Sequence, residues 1–446
     1  MKTSYTPSSP PPSWIFCALL LCLGLFLWAS MPGAPVAEAS SGYQPIPMGS
    51  ALQLPENPAE SEDDASLAPW TPKGEAQLIG LWQVQRFQRS VPPGGKHDRI
   101  SVNRIRGFSD VKTPPKIAVL YLPGTFMNGR VPAAADLDPE LAPLHVWLAS
   151  GAVAVYALDY RTHTLDPNSP LEDPRFSAAW NSEAFVQDAL SALELARADS
   201  GIERIFVMGF SRGVAYTYAV AAARPDAVAG LIALDGSFKR RPAPGEELQE
   251  LPENADVRLL ALLEEQGFLR DVGGSRGWAE RRRLMTAAIS GAKEPGELLS
   301  RVLYGAWGPG ALARPAELPE DLGPPGVTPI RRLAAMMIDY DRYFPAVQNL
   351  EAPYFVSVAD APHTAVDDGW PELSVPTLYF GTLGLGSDAL QAGIHSAAHA
   401  GGDQVEIHLL ERYGHLDVLV AQDREEQVLE PIQAFLRSHS HQEEAP

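Results

Sequence analysis

Short apolar runs that alternate with helical stretches constrain the fold of this 446-residue chain more than any other feature. Residues 116–124, 152–161 and 375–382 are continuous apolar runs of strand length. Stretches with apolar residues at helical spacing, such as residues 183–201, lie between such runs. Continuous apolar strands separated by helices are typical of parallel sheets covered on both faces. The sequence therefore predicts an α/β fold with a mostly parallel twisted sheet of about eight strands and helices on both faces.

The alternation of apolar runs and helical stretches occurs in two parts of the chain, residues 76–238 and 374–446. We expect these two parts to form one α/β core. Near its start, residues 76–91 and 98–108 alternate polar and apolar side chains around a Pro-Gly-Gly turn, which predicts an antiparallel hairpin with one wet face. Residues 239–373 instead hold amphipathic helical stretches, for which we expect a helical cap or lid inserted between two strands. The predicted helices there include residues 257–269, 279–291 and 329–344.

The N-terminal residues are typical of an export signal. Lys2 and the α-amino group give the N-terminus a small positive charge. Residues 14–29, which follow, are wholly apolar but shorter than the ~20 residues that span a bilayer comfortably. Ala37 and Ala39 place small residues where a signal peptidase reads. We expect residues 1–39 to be a signal peptide of an exported protein, with an uncleaved membrane anchor as the alternative. Residues 40–75, rich in Pro, Ser and acidic residues, are predicted to be a linker.

Composition excludes several classes of site and partner. Both cysteines, Cys17 and Cys22, lie in the apolar N-terminal run, so a processed chain would have neither disulfides nor thiolate chemistry. The net charge of −20 would repel nucleic acid. His395 and His399 lie one helical turn apart without a glutamate between them, which argues against a metal site. We therefore expect no metal, no cofactor and no nucleic-acid partner.

A serine between two glycines lies where an apolar strand is predicted to become a helix. Gly209, Ser211 and Gly213 fit the pattern G-x-S-x-G within the stretch RIFVMGFSRGVAYTYAV. In a nucleophile elbow the serine projects from a strained turn, and a side chain two residues before or after it would clash. The following helix directs N–H groups at developing negative charge. Ser211 is the predicted nucleophile, and a purely structural turn is the alternative.

A serine nucleophile needs a base and an acid that orients the base. His415 follows the last predicted strand, and because parallel strands end at one sheet edge, it is expected beside Ser211. Asp388 follows the predicted strand 375–382, which precedes that last strand, and it is the preferred acid. Asp235, at the end of an earlier strand, is the main alternative, and Asp360 is a further one.

Two backbone N–H groups are expected to bind the oxyanion. One is that of Arg212, directly after the nucleophile. The other comes from Thr125 or Phe126, in the loop after the run 116–124. Gly124 lets the backbone there approach a bound carbonyl, and an ordinary strand-end turn is the alternative.

From residue 76 onward the chain resembles serine hydrolases of the α/β-hydrolase fold that carry a large cap. The resemblance rests on GFSRG, LPGTF, the Asp388 segment and RYGHLD, in the order Ser…Asp…His. Two departures are Leu-Pro-Gly where many relatives carry His-Gly, and GTLGLGSD in place of an acidic Gly-x-x-Asp form. The resemblance implies an esterase or lipase-like enzyme that cleaves small-molecule or lipid-like acyl esters through an acyl-enzyme. A peptidase, thioesterase or acyltransferase, or a non-catalytic binding protein, remains open.

Overall fold

The computed structural model describes residues 69–168, 171, 174–241, 265–270, 274–305, 312–317, 325–356, 366–367 and 369–440. The expected signal peptide, most of the expected linker and Asp360 lie outside these residues. Within the described part of the chain, no helix combines the length and the apolar character needed to cross a membrane.

A ten-stranded sheet forms the centre of the fold. The strands are β1 Thr71–Pro72, β2 Gln77–Ile79, β3 Trp82–Ser90, β4 Arg99–Gly107, β5 Ile117–Leu122, β6 Val153–Asp159, β7 Ile205–Phe210, β8 Val228–Leu234, β11 Thr377–Gly381 and β12 Val405–Leu409. Their order in the sheet is β1-β3-β4-β6-β5-β7-β8-β11-β12, with β2 paired to β3. The pairs from β6 to β12 are parallel, and β1 to β4 pair antiparallel. The predicted mostly parallel α/β sheet is confirmed, with more strands than expected.

The additional strands lie at the antiparallel edge of the sheet. β3 and β4 pair from Trp82↔Gly107 to Ser90↔Arg99, as the hairpin prediction requires. The predicted strand 76–91 is interrupted, however, because Gly80 has φ +56° and folds β2 back onto β3. A side chain at Gly80 would also lie 2.4 Å from the backbone oxygen of Ala135. β1 adds a short strand from residues expected to belong to the linker.

Helices cover both faces of the sheet. They are α1 Leu144–Leu148, α2 Ser182–Ser200, α3 Arg212–Ala223, α8 Ser387–Gly401 and α10 Glu430–His439, and the short α9 Asp417–Val420 precedes α10.

The central strand β5 is buried on both of its faces. Val119 and Tyr121 point into one buried cluster, which also holds residues of α1 and α10. Leu120 and Leu122 point into the other cluster, with residues of α2, α3 and α8. Because both faces are buried, the sequence of β5 is a continuous apolar run.

The segment between β8 and β11 contains helices and a small second sheet. Its helices are α4 Gly274–Ile289, α5 Lys293–Gly305, α6 Ile330–Met337 and α7 Val347–Val356. Its strands β9 Phe268–Arg270 and β10 Tyr343–Pro345 pair antiparallel. The sequence predicts helices over residues 257–269 and 329–344, and in the described residues both predictions are wrong at their C-terminal ends. Helix α6 ends early because the turn after it binds the core, where the backbone N–H of Asp341 donates to Phe126 O at 2.6 Å.

Candidate active site

Ser211 lies at a strained corner between β7 and α3. β7 ends at Phe210, α3 begins at Arg212, and Ser211 has φ 54° and ψ −120°. Positive φ is uncommon for a residue with a side chain and persists where the surroundings enforce it. A side chain on Gly213 would lie 2.0 Å from Leu122 O, and one on Gly209 would lie 2.4 Å from Gly213 O. The two glycines therefore permit the tight turn that presents Ser211.

His415 forms a buried pair with Asp235. Its Nδ1 lies 2.7 Å from Asp235 Oδ2, and both residues are less than 5% exposed. A carboxylate accepts hydrogen bonds, so Nδ1–H is the donor in this contact, and the tautomer that carries its proton on Nδ1 leaves Nε2 as the proton acceptor. The imidazole also stacks on the ring of Phe210, the residue before Ser211, with centroids 4.6 Å apart. This places His415, the expected base, beside the serine corner.

The structure places Asp235, rather than Asp388, at the histidine. Asp388 lies exposed in the first turn of α8, where Ser387 Oγ donates to it at 3.4 Å. An acidic side chain in the first turn of a helix interacts favourably with the helix dipole, so Asp388 contributes locally to the start of α8. Asp235 directly follows β8 and is buried, so the alternative acid named from the sequence occupies the position expected of Asp388.

Thr382, which the sequence analysis missed, fixes the carboxylate of Asp235. Its backbone N–H donates to Asp235 Oδ1 at 2.7 Å, and its hydroxyl donates to Oδ2 at 2.7 Å. Gly384 then passes so close to the histidine loop that a side chain there would lie 2.3 Å from His415 N. The glycine-rich stretch after β11 was the available signal, because it allows this close approach.

The loop after β5 lies against the serine from the other side. In this β5 loop, residues 123–129, a side chain on Gly124 would lie 3.0 Å from Ser211 Cβ. Met127 N–H donates to Gly124 O at 3.0 Å, which closes a turn around Thr125 and Phe126, and Phe126 has φ +63°. Arg212, as the first residue of α3, has a backbone N–H with no intrahelical acceptor. Both expected sources of oxyanion donors thus flank Ser211.

The Arg212 side chain, which the sequence left unexplained, binds the segment between β8 and β11. Its guanidinium donates to Gln348 O at 3.1 Å and to Asn349 Oδ1 at 3.0 Å, both in α7. It also lies over the ring of Phe344 in β10, 5.8 Å from the centroid. Arg212 therefore links the serine corner to β10 and α7.

The described residues offer an apolar cluster near the serine but no metal site. Leu269, Phe344 and Ala346 are buried together, and Phe126 packs on them with its ring 5.7 Å from that of Phe344. Nowhere in the described ranges do three or more His, Cys, Asp or Glu side chains group as metal ligands would.

Comparison with solved structures establishes the fold. A "putative lipase" from Sulfolobus solfataricus is similar over 83% of this chain and 99% of its own, with 20% identity and a TM-score of 0.58. A thermophilic esterase from Thermogutta terrifontis has 17% identity, covers 82% and 100% of the two chains, and has a TM-score of 0.40. A monoacylglycerol lipase from Paleococcus ferrophilus has 15% identity, covers 73% and 96%, and has a TM-score of 0.42.

The chain therefore has the α/β-hydrolase fold. The first of these likenesses carries this conclusion, and at 20% identity it concerns the fold alone. No protein-family model matches the chain, and no curated protein does.

Proposed function

We propose that this protein is an exported serine hydrolase that cleaves carboxylic esters with Ser211, His415 and Asp235. The observation that carries the proposal is the strained Ser211 corner beside the buried His415–Asp235 pair, whose Nδ1 and Oδ2 lie 2.7 Å apart. A nucleophile, a base and an acid that orients the base are the three parts that acyl transfer by a serine requires.

Each group has one task in the reaction. His415 Nε2 takes the hydroxyl proton of Ser211 as Oγ attacks the ester carbonyl, and the negative charge develops on the carbonyl oxygen. The N–H of Arg212 and the N–H of Thr125 or Phe126 stabilise that charge. His415 then gives the proton to the leaving alkoxide, and water, activated by the same base, hydrolyses the acyl-enzyme. Asp235 holds the imidazole in the required tautomer and stabilises the imidazolium that forms.

The surroundings favour an apolar acyl group. Phe126 packs on Phe344, which lies beside Arg212, the residue after Ser211, and Leu269 is buried beside Phe344. In this proposal residues 239–373 act as a cap that supplies part of the acyl site. Small-molecule or lipid-like acyl esters are the substrate class that such a lining would accept.

The bond that is cleaved can be tested with a substrate panel. We expect the protein to hydrolyse p-nitrophenyl esters of some acyl length, and Ser211→Ala to abolish the turnover. Matched amide and thioester analogues belong in the same panel, because a preference for either would assign a peptidase or thioesterase instead. Equal rates for the protein and Ser211→Ala would contradict the proposal.

Export is tested at the N-terminus of the chain. If residues 1–39 are removed on secretion, protein recovered outside the producing cell begins at Ser40. Recovery of the full chain from the membrane fraction would indicate the uncleaved anchor.

A further inference from the structure

The turn between α6 and β10 is fastened to the β5 loop. In this docking turn, residues 338–342, the backbone N–H of Asp341 donates to Phe126 O at 2.6 Å. In return, Asn128 Nδ2 donates to Asp339 O at 2.5 Å and to Asp341 Oδ1 at 3.3 Å. The loop that carries the expected oxyanion donors is therefore bound directly by the segment between β8 and β11.

The carboxylate of Asp341 joins a third element to this contact. Asp341 is 6% exposed. Its Oδ2 accepts from Thr162 Oγ1 at 2.8 Å, and its Oδ1 lies 2.6 Å from His163 Nδ1. Thr162 and His163 follow β6, the strand beside β5. One buried side chain thus holds the docking turn against the loops after both strands.

Phe126 has a conformation that needs such support. Its φ of +63° is rare for a bulky side chain, and such a residue keeps it only where its neighbours enforce it. The peptide after Phe126 is bound at both ends, because Asp341 N–H donates to its oxygen and its N–H, that of Met127, donates to Gly124 O. The direction of the remaining N–H groups of the turn depends on this peptide.

We propose that Asp341 is a positioning residue for the oxyanion donors: its carboxylate holds the docking turn in place, and the docked turn keeps Phe126 in its left-handed conformation. The inference rests on the proposed ester hydrolysis. Asp341 acts through Phe126, so its loss weakens stabilisation of the transition state more than binding of the ester.

The contact also depends on the charge of His163. Its ring faces Asp341 of the docking turn, Asp159 at the end of β6 and Arg130 after the β5 loop, and Arg86 of β3 lies 3.3 Å from Asp159. Burial lowers the pKa of His163, but the Asp341 and Asp159 carboxylates outweigh it, so the pKa is raised above 6.5. The protonated pair is therefore fully formed below pH 6.5, and its contribution is lost as the pH rises through the raised pKa.

Asp341→Asn tests the inference, with Asp339→Asn as the matched control. Asp339 lies in the same turn and its substitution removes the same charge, but only its backbone oxygen contacts Asn128. We expect Asp341→Asn to lower kcat for a p-nitrophenyl ester at least about tenfold. The upper limit is the loss of kcat by a factor of about 10²–10³ that removal of one oxyanion donor causes. KM should change little. The Asp341→Asn kcat should also lack the alkaline decline that His163 gives the unsubstituted protein, and Asp339→Asn should match the unsubstituted protein in both respects.

The possible failures are distinguishable. If the unsubstituted protein hydrolyses no ester, the proposed function fails. If it is active, and Asp341→Asn and Asp339→Asn share its kcat and pH profile, the positioning role alone is overturned. If Asp341→Asn shows no cooperative thermal unfolding, Thr162→Val replaces it, since it removes one donor to the same carboxylate. A folded Thr162→Val variant with undiminished kcat would then overturn the inference.

Discussion

The carboxylate of Asp235 is held by three donors from two neighbouring loops. Thr382 provides its N–H and its hydroxyl, and His415 provides Nδ1–H, each at 2.7 Å. Burial of a carboxylate is unfavourable unless hydrogen bonds replace its lost hydration, and these three donors provide them. The residue-level arrangement therefore fixes both the position of the carboxylate and the direction of the histidine ring.

Separate substitution of each candidate acid by asparagine tests this arrangement. We expect Asp235→Asn to lower ester turnover by about 10⁴, the effect of the same change in the Ser-His-Asp template, because the amide favours the wrong imidazole tautomer. Asp388→Asn is the matched control, since it removes one carboxylate from an exposed helix start. The steady-state kcat of both variants distinguishes the two acids. A large loss of kcat in Asp388→Asn alone would assign the acid to Asp388 instead of Asp235.

The positions of Ser211 and His415 at strand ends could be predicted from sequence, because local patterns mark each one. The carboxylate partner of His415 could not, because Asp235 and Asp388 follow β8 and β11, which are neighbours in the sheet. Spacing along the chain does not say which of two adjacent strand ends lies over the histidine. In the structure Thr382 binds Asp235, and the glycine-rich stretch after β11 indicates a close approach there without indicating which carboxylate is bound.

At the scale of elements, the segment between β8 and β11 is tied to the core by polar contacts. Arg212 binds α7, and the docking turn binds the β5 loop. Within the segment itself, Lys239 near its start forms a buried ion pair with Asp367 near its end. The strands β9 and β10 were missed because their pairing joins residues far apart in the chain, which local periodicity does not report.

The ion pair of Lys239 and Asp367 should matter for stability. Both side chains are at most 2% exposed, so removal of Lys239 takes the opposite charge of the ion pair away from a buried carboxylate. We expect Lys239→Met to lower the free energy of unfolding by about 3–5 kcal/mol, measured by urea denaturation. Lys239→Met with Asp367→Asn should recover part of the loss, and a double variant no more stable than Lys239→Met would contradict this account.

At the scale of the whole molecule, the parallel strands bring the site together. The residues assigned here follow β5, β7, β8, β11 and β12, and their strands end at one edge of the sheet. The sequence predicted this convergence from the alternation of apolar runs and helices. It did not predict the edge strands β1 and β2, because β1 has two residues and β2 three.

Acid stability is a property of the whole molecule that one buried group influences. His145 is 2% exposed and stacks on Tyr121 with centroids 4.2 Å apart. Burial lowers its pKa to about 3, so below pH 6.5 the unfolded chain binds a proton that the folded chain does not. This group should cost about 2 kcal/mol of stability between pH 8 and pH 5.

The comparison of the protein with His145→Phe isolates that contribution. Melting temperatures measured from pH 8 to pH 5 should fall less in His145→Phe, since phenylalanine keeps the ring contact and does not titrate. Parallel curves for the two proteins would show that His145 does not contribute to the acid dependence.

The central claim is that Ser211 is the nucleophile, and labelling with a fluorophosphonate probe tests it most directly. The account predicts that mass spectrometry finds one probe on the peptide that contains Ser211, that Ser211→Ala is not labelled, and that labelling slows strongly in Asp235→Asn. The absence of labelling in the unsubstituted protein, or equal labelling of Ser211→Ala, would contradict it.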